Sequence, residues 1–223
     1  MNQTKCPFNH SALKTTEPPP SRMANLHVDE RGYIIPWFVD WIDGKPEFRA
    51  MDLSKWIKAV NEKRCWVCGE RLGRWMTFVA GPMCGINRTS SEPPSHLECA
   101  RWSARNCPFL NNPEMVRRVD EKIGNDMTNV AGFAITRNPG VTMLWTTNTY
   151  SVFDDGKGGK LISFGGANSV EWYACGKLAT REQVIQSIES GMPALVALAQ
   201  RQDGAMGHLM KMREGFDKHI PSC

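Results

Sequence analysis

The 223-residue sequence has no stretch approaching the roughly 18 consecutive apolar residues that a membrane-crossing helix needs. It has no run of five like charges, and so no basic arm or acidic tail. Its opening residues, Met1 to His10, lack the apolar core of a secretory signal. It also lacks an internal repeat, which excludes solenoids and propellers. A composition of 41% hydrophobic and 22% charged residues excludes a disordered tail, a coiled coil and a collagen-like repeat. One compact domain or two small ones is the expectation at this length.

What is present is cysteine. Eight cysteines stand at 6, 65, 68, 84, 99, 107, 175 and 223, and five of them crowd between 65 and 107. Disulfide scaffolds spread their bridges, whereas metal sites bunch their ligands, so the pattern favours a reducing compartment and thiolates on zinc. Lys plus Arg is 27 against 23 Asp plus Glu, a net charge of +4. That excess permits nucleic acid without demanding it.

The chain divides into three expected parts. Residues 1–31, with Glu17-Pro18-Pro19-Pro20-Ser21, read as a loosely organised N-terminal segment. Residues 32–128 read as a β-hairpin followed by a zinc-binding module. The hairpin is a strand over Tyr33–Ile42, a turn at Asp43-Gly44-Lys45-Pro46 and a return over Glu47–Ala50. Asp52 caps a helix to about Lys63 whose apolar face is Leu53, Trp56, Ile57 and Val60. A hairpin through Trp75–Ala80, a turn at Gly81–Cys84 and a helix over Ser95–Asn106 follow, the helix opened by a Ser95/Glu98 capping box. A short helical pattern covers 111–128. Residues 129–223 read as an antiparallel meander (Val130–Arg137, Val141–Thr147, Tyr150–Phe153, Lys160–Phe164) and C-terminal helices. A Thr180/Gln183 box opens the first of these helices; Gly191 ends it, Pro193 opens a second through Gln200, and His208–Lys218 forms the last.

Cys65-x2-Cys68 and His96-x2-Cys99 are separated by 27 residues. Zinc takes four soft or borderline ligands in a tetrahedron. A C-x-x-C-Gly turn supplies two thiolates from one knuckle. Positions i and i+3 in a helix's first turn share a face, so His96 and Cys99 reach one ion, at an end whose free amides favour thiolate. Knuckle, hairpin and ligands in a helix's first turn make a treble-clef-like arrangement. Cys84 follows a Gly-Pro turn and is an alternative to His96. Cys107 lies about 12 Å along the helix from Cys99, too far to share the ion, but with Cys6 and His10 it is a candidate for a second site. Trp66, Trp75 and Trp102 are expected to wall the ion from water, and Trp37 and Trp41 to pack in the core.

A closed Cys3His site points to structural zinc. Asn87, Arg88 and Glu92, in the stretch 85–94 between the ligand pairs, are candidates to face a partner, and Arg101 and Arg105 share a helix face that phosphates would suit. HNH nucleases place a histidine base and an asparagine on a related frame, but here His96 is spent on the ion. Zinc deaminases need H-x-E followed by P-C-x-x-C; His27-Val28-Asp29 has the wrong third residue, and the C-x-x-C at Cys65 lacks the preceding proline. Asp155 to Lys160 suits a hairpin turn and lacks the Walker spacing.

Cys65-Trp66-Val67-Cys68-Gly69, Gly81-Pro82-Met83-Cys84, Glu92-Pro93-Pro94-Ser95-His96, Cys99-Ala100 and Cys107-Pro108-Phe109 carry a resemblance to an uncharacterised family of bacteria and their phages. A second block, Ser169 to Trp172, Ala179-Thr180-Arg181 and Ser187 to Gly191, resembles the same family. The resemblance implies a prokaryotic or phage setting, with the cytoplasm of a bacterium or infected cell as the location and a host defence complex as one target. It implies no mechanism.

The expected molecule is therefore an α+β protein with a treble-clef-like zinc module, an antiparallel meander and C-terminal helices. Its expected role is non-enzymatic binding of a macromolecule, with a protein partner favoured over nucleic acid because the charge excess is small. The alternative is a metal-dependent nuclease or hydrolase, or a nucleic-acid-binding protein, acting from 85–94.

Overall fold

Residues 15, 17–111, 139–156 and 158–222 are described by the structure, a computed structural model. The expected helix beyond Asn111, the expected strand over Val130–Arg137, and Cys6 and His10 lie outside these residues.

A 3-10 turn at Ser21–Met23 precedes strands β1 (Val39–Ile42) and β2 (Lys45–Met51). These two strands form an antiparallel hairpin whose turn residues, Asp43 and Gly44, take φ of 50° and 73°, the left-handed pair that a two-residue turn requires. The strand expected from Tyr33 begins only at Val39, because Pro36 turns the chain and its carbonyl accepts from the Val39 amide. Helix α1 (Leu53–Glu62) starts at Asp52, whose carboxylate accepts from the Ser54 and Lys55 amides. Trp56 and Ala59 are its buried residues, whereas Leu53 is 68% and Ile57 49% exposed. The apolar face expected there is thus only half used.

Strand β3 (Met76–Ala80), helix α2 (Pro82–Asn87) and the short strand β4 (Thr89–Ser90) follow. Residues 81–90 are therefore mostly regular structure and not the expected turn and open loop; Pro82 suits the first helical position. Helices α3 (Leu97–Asn106) and α4 (Pro108–Asn111) complete this stretch. Then come β5 (Thr142–Thr147), β6 (Tyr150–Asp154), β7 (Lys160–Phe164), β8 (Ser169–Ala174) and β9 (Lys177–Leu178), and helices α5 (Arg181–Ala199) and α6 (Ala205–Phe216).

The fold is mixed α+β with antiparallel sheets. The strands expected as one meander are shared between two sheets, ordered β3-β5-β8-β9 and β4-β7-β6. Alternation of side chains marks a strand but not its partner. β5 pairs Phe78 with Trp145 across β3, so one sheet unites strands from before residue 110 with strands after 140. All six residues of β5 are buried because it is central and covered on both faces. One face carries Met143 and Trp145 into the main core with Phe78, Ile162, Phe164, Ile86, Val184, Ile188 and Phe216. The other presents Leu144 and, from β8, Tyr173 to Ala100 and Ala104 of α3.

α5 opens with the Thr180/Gln183 capping box as expected, then runs unbroken through Gly191 and Pro193. Gly191 is not a stop. A Cβ there would lie 2.8 Å from the Met83 sulfur, so glycine permits α2 to approach. α6 starts at Ala205, three residues ahead of the expected His208. Burial of Ile188, Gly191 and Leu195 on one face outweighs the interior proline. Pro193 still lacks an amide donor, and it is exposed. Pro193→Ala should therefore raise unfolding stability by about 1–3 kcal/mol, read from the urea midpoint; a lower midpoint would contradict this account of α5.

Candidate metal centre

The first ligand pair sits on a tight knuckle. Lys63, with φ 51°, turns the chain out of α1. The Leu72 amide donates to the Lys63 carbonyl and the Cys65 amide to the Glu70 carbonyl, both at 2.7 Å, and the Gly69 amide donates to the Cys65 carbonyl at 2.8 Å. Gly69 has φ 78°, and a Cβ on it would lie 2.7 Å from the Trp37 ring. Glycine is thus needed twice, for the left-handed backbone and for contact with Trp37, whose amide donates to the Val67 carbonyl.

The second pair comes from α3. His96 is its N-cap and Cys99 lies in its first turn. The expected Ser95/Glu98 capping box is not formed: no side chain caps α3. Ser95 instead exchanges two backbone hydrogen bonds of 2.8 Å with Thr77 on β3, and Glu98 pairs with Arg22. The Trp66 amide donates to the Pro94 carbonyl at 3.0 Å, so the backbone ties knuckle to helix start directly.

The ligand atoms of Cys65, Cys68, His96 and Cys99 all lie within 4.8 Å of one another. His96 Nδ1 is 3.4 Å from Cys68 Sγ, and Nε2 is 3.0 Å from the Arg71 carbonyl. With a cation at the centre, an Nε2–H donating to that carbonyl would leave the Nδ1 lone pair free to bind it, the outer-sphere arrangement that orients a ligating histidine. The Cys68 and His96 amides both point at Cys65 Sγ, at 3.5 and 3.3 Å, and favour a thiolate there. Burial pushes the Cys65 thiol up, but hydrogen bonds from Cys68, Cys99 and His96 outweigh it and hold the thiol below its ordinary range. The Cys99 thiol is raised by sharing its proton with Cys65 and Cys68. Hydrogen bonds to Cys65 and Cys68 hold the His96 imidazole up to about 10. Lone pairs this close need positive charge between them, which shared protons or a metal cation would supply. The cluster could hold a metal ion; as four protein ligands it suits a closed tetrahedral site.

Cys65 and Cys99 are fully buried, in a cluster with Met23, Leu26, Ile34, Val67 and Trp102. Residues 17–31, read from sequence as loosely organised, thus pack over the ligands in their described part. Arg22 reaches Glu70 of the knuckle at 2.7 Å and Glu98 of α3 at 2.6 Å, spanning both halves. Glu17 pairs with Arg105 at 3.1 Å. Neither Arg22 nor Met23 stands in a motif; their role depends on distant residues that no local pattern reveals.

The other candidates fall elsewhere. Cys84 and Cys107 are not in the cluster. Cys84 is carried by α2, and burial pushes its thiol up to about 11; Cys107 caps the far end of α3, and burial raises it too. Asn87 is exposed at the end of α2, and Glu92 is half-buried beyond β4. Arg88 folds its guanidinium over the Trp145 ring, 5.4 Å from its centre. Arg101 forms a two-pronged ion pair with Glu171, at 2.6 and 2.9 Å. Arg105 pairs with Glu17 and lies over Tyr173. Trp66 and Trp102 are buried as expected, but Trp75 and Trp41 are exposed.

Compared with protein-family models, curated proteins and solved structures, the chain gives no match. Among the described residues no helix is long and apolar enough to cross a membrane.

Gly69→Ala should destabilise the fold by about 2–4 kcal/mol, combining a left-handed alanine with overlap on Trp37. Chemical denaturation measures this, and a change under about 0.5 kcal/mol, the range of a neutral surface substitution, would contradict the knuckle geometry.

Proposed function

We propose that this chain is a zinc-stabilised, non-enzymatic binding protein whose partner is another protein. The observation that carries the reading is the closed ligand set. Three thiols and one imidazole come within 4.8 Å of one another, the number and kind of ligands a tetrahedral ion takes, the Arg71 carbonyl orients the imidazole, and Met23 and Trp102 pack with the buried cysteines. Catalytic zinc keeps an open position for water, and this donor set supplies none. Soft thiolates select zinc over the hard divalent cations.

The surface supports a protein partner. Arg101 and Arg105, the helix-face cations best spaced for phosphates, are already paired with Glu171 and Glu17. Exposed Leu53 and Ile57 on α1, and Trp41 and Ile42 on β1, offer the aromatic and aliphatic side chains that protein interfaces use. The bacterial or phage setting implied by the resemblance favours the cytoplasm for this binding and makes a host defence complex the first partner to test.

The purified chain should carry about one zinc ion per molecule. Cys68→Ser should lose the ion and melt about 10 °C or more below the parent, because structural zinc supplies folding free energy. The parent should cleave neither DNA nor RNA when magnesium, manganese or zinc is added. Parent-like melting of the variant would refute structural zinc, and metal-dependent cleavage abolished by Asn87→Ala would replace the binding role with a nuclease.

A further inference from the structure

We propose that Arg88, Lys211 and His219 form a binding site for a phosphate-class oxyanion, separate from the metal centre and independent of the zinc reading. The three residues line a cavity of about 60 Å³ between the end of α2, strand β5 and α6, together with Trp145, Gly215 and Phe216. Lys211, Gly215 and His219 follow one another at intervals of four residues along α6 and the 3-10 turn after it, Asp217–His219. That spacing sets them on one side, facing Arg88.

The cations there lack counter-charges. Among the described residues no carboxylate pairs with Arg88 or Lys211, in contrast to Arg22, Arg101 and Arg105, each held in an ion pair. The Arg88 guanidinium lies over an aromatic floor, 5.4 Å from the centre of the Trp145 ring. The nearby Asp217 is tied to Arg213. His219 stands edge-on to Trp145 at 4.7 Å, and its Nε2 is buried without a hydrogen-bond partner. Its carbonyl accepts from Trp172 Nε1 at 2.8 Å, which fixes the residue in place. Burial first, then the charges of Lys218 and Arg88, hold the His219 imidazole below its ordinary range, and no carboxylate acts on it. The pocket thus concentrates positive potential over apolar walls, where it is weakly screened.

The backbone at Arg88 points the same way. Arg88 has φ 51° and ψ 38°. The left-handed conformation costs a residue with a Cβ roughly 1–2 kcal/mol, a cost glycine would avoid.

Size and shape narrow the ligand. The cavity exceeds the roughly 10–15 Å³ that a single water needs and falls far below the roughly 300 Å³ of a pocket for a whole drug-sized molecule. It admits a head group. A guanidinium fork beside a compact ammonium suits a multiply charged phosphate better than a single carboxylate. Trp145 and Phe216 are buried, so neither ring is open to stack a base. The ligand class is therefore inorganic phosphate or the terminal phosphate of a monoester.

The test is calorimetric titration of the purified full-length chain with sodium phosphate, ionic strength being held constant with chloride. Saturable one-to-one binding is expected. Lys211→Gln, at an exposed position, should weaken it at least threefold. Arg88→Asn, which accepts the left-handed backbone, should weaken it at least tenfold while the chain stays folded by circular dichroism. Adenosine monophosphate binding more tightly than phosphate assigns the site to a monoester, and equal or weaker binding assigns it to the free ion. No saturable uptake up to about 10 mM phosphate, corresponding to a binding free energy weaker than roughly 3 kcal/mol, or variants that bind as the parent does, would overturn the proposal.

Discussion

The structure depends on bringing four electron-rich atoms to one point. Cys65 and Cys68 leave the knuckle after α1, and His96 and Cys99 leave the start of α3, separated by a loop of 27 residues between Cys68 and His96. Closing a loop of that size costs about 3–4 kcal/mol of chain entropy. Three thiols and an imidazole gathered without a cation must share protons, as the displaced titrations of Cys65, Cys99 and His96 record. Structural zinc supplies an apparent 10–16 kcal/mol in small finger peptides, more than enough to offset the closure. The ion we propose is therefore the term that decides whether the two halves stay together.

Much else follows from that junction. With its start fixed to the knuckle and to β3, α3 lies across one face of the central sheet, where Ala100 and Ala104 meet Leu144 and Tyr173. The opposite face receives α2, α5 and α6 around Trp145 and Phe78. The segment from Glu17 to Ile34 closes the ligand side, with Met23 and Leu26 excluding water and Arg22 bridging Glu70 to Glu98. These exposed ion pairs contribute little stability singly. Their importance is geometric, since each joins an element that carries two of the ligands.

The ligand cluster was legible in the sequence because its chemistry is local: a C-x-x-C-Gly turn, and a His-x2-Cys at a helix start, where the histidine proves to be the N-cap and only the cysteine lies in the first turn. The α1 cap at Asp52 and the Thr180/Gln183 box were legible for the same reason. What required three dimensions was pairing and competition. The β5, β6 and β7 strands were readable, but not that β5 joins β3 while β6 and β7 join β4. Ser95 looked like a cap and serves as a strand partner, because Thr77 offers its backbone two hydrogen bonds. Gly191 looked like a stop and is a point of close packing on Met83, and Pro193 is carried inside a helix by the burial of its neighbours. Arg22, Met23 and the Arg71 carbonyl act across long sequence separations that no motif encodes.

X-ray absorption at the zinc edge of the purified chain tests the central claim most directly. The account predicts a four-atom shell of three sulfurs at about 2.3 Å and one nitrogen at about 2.0–2.1 Å. A shell dominated by oxygen, or fewer than three sulfurs, would contradict it.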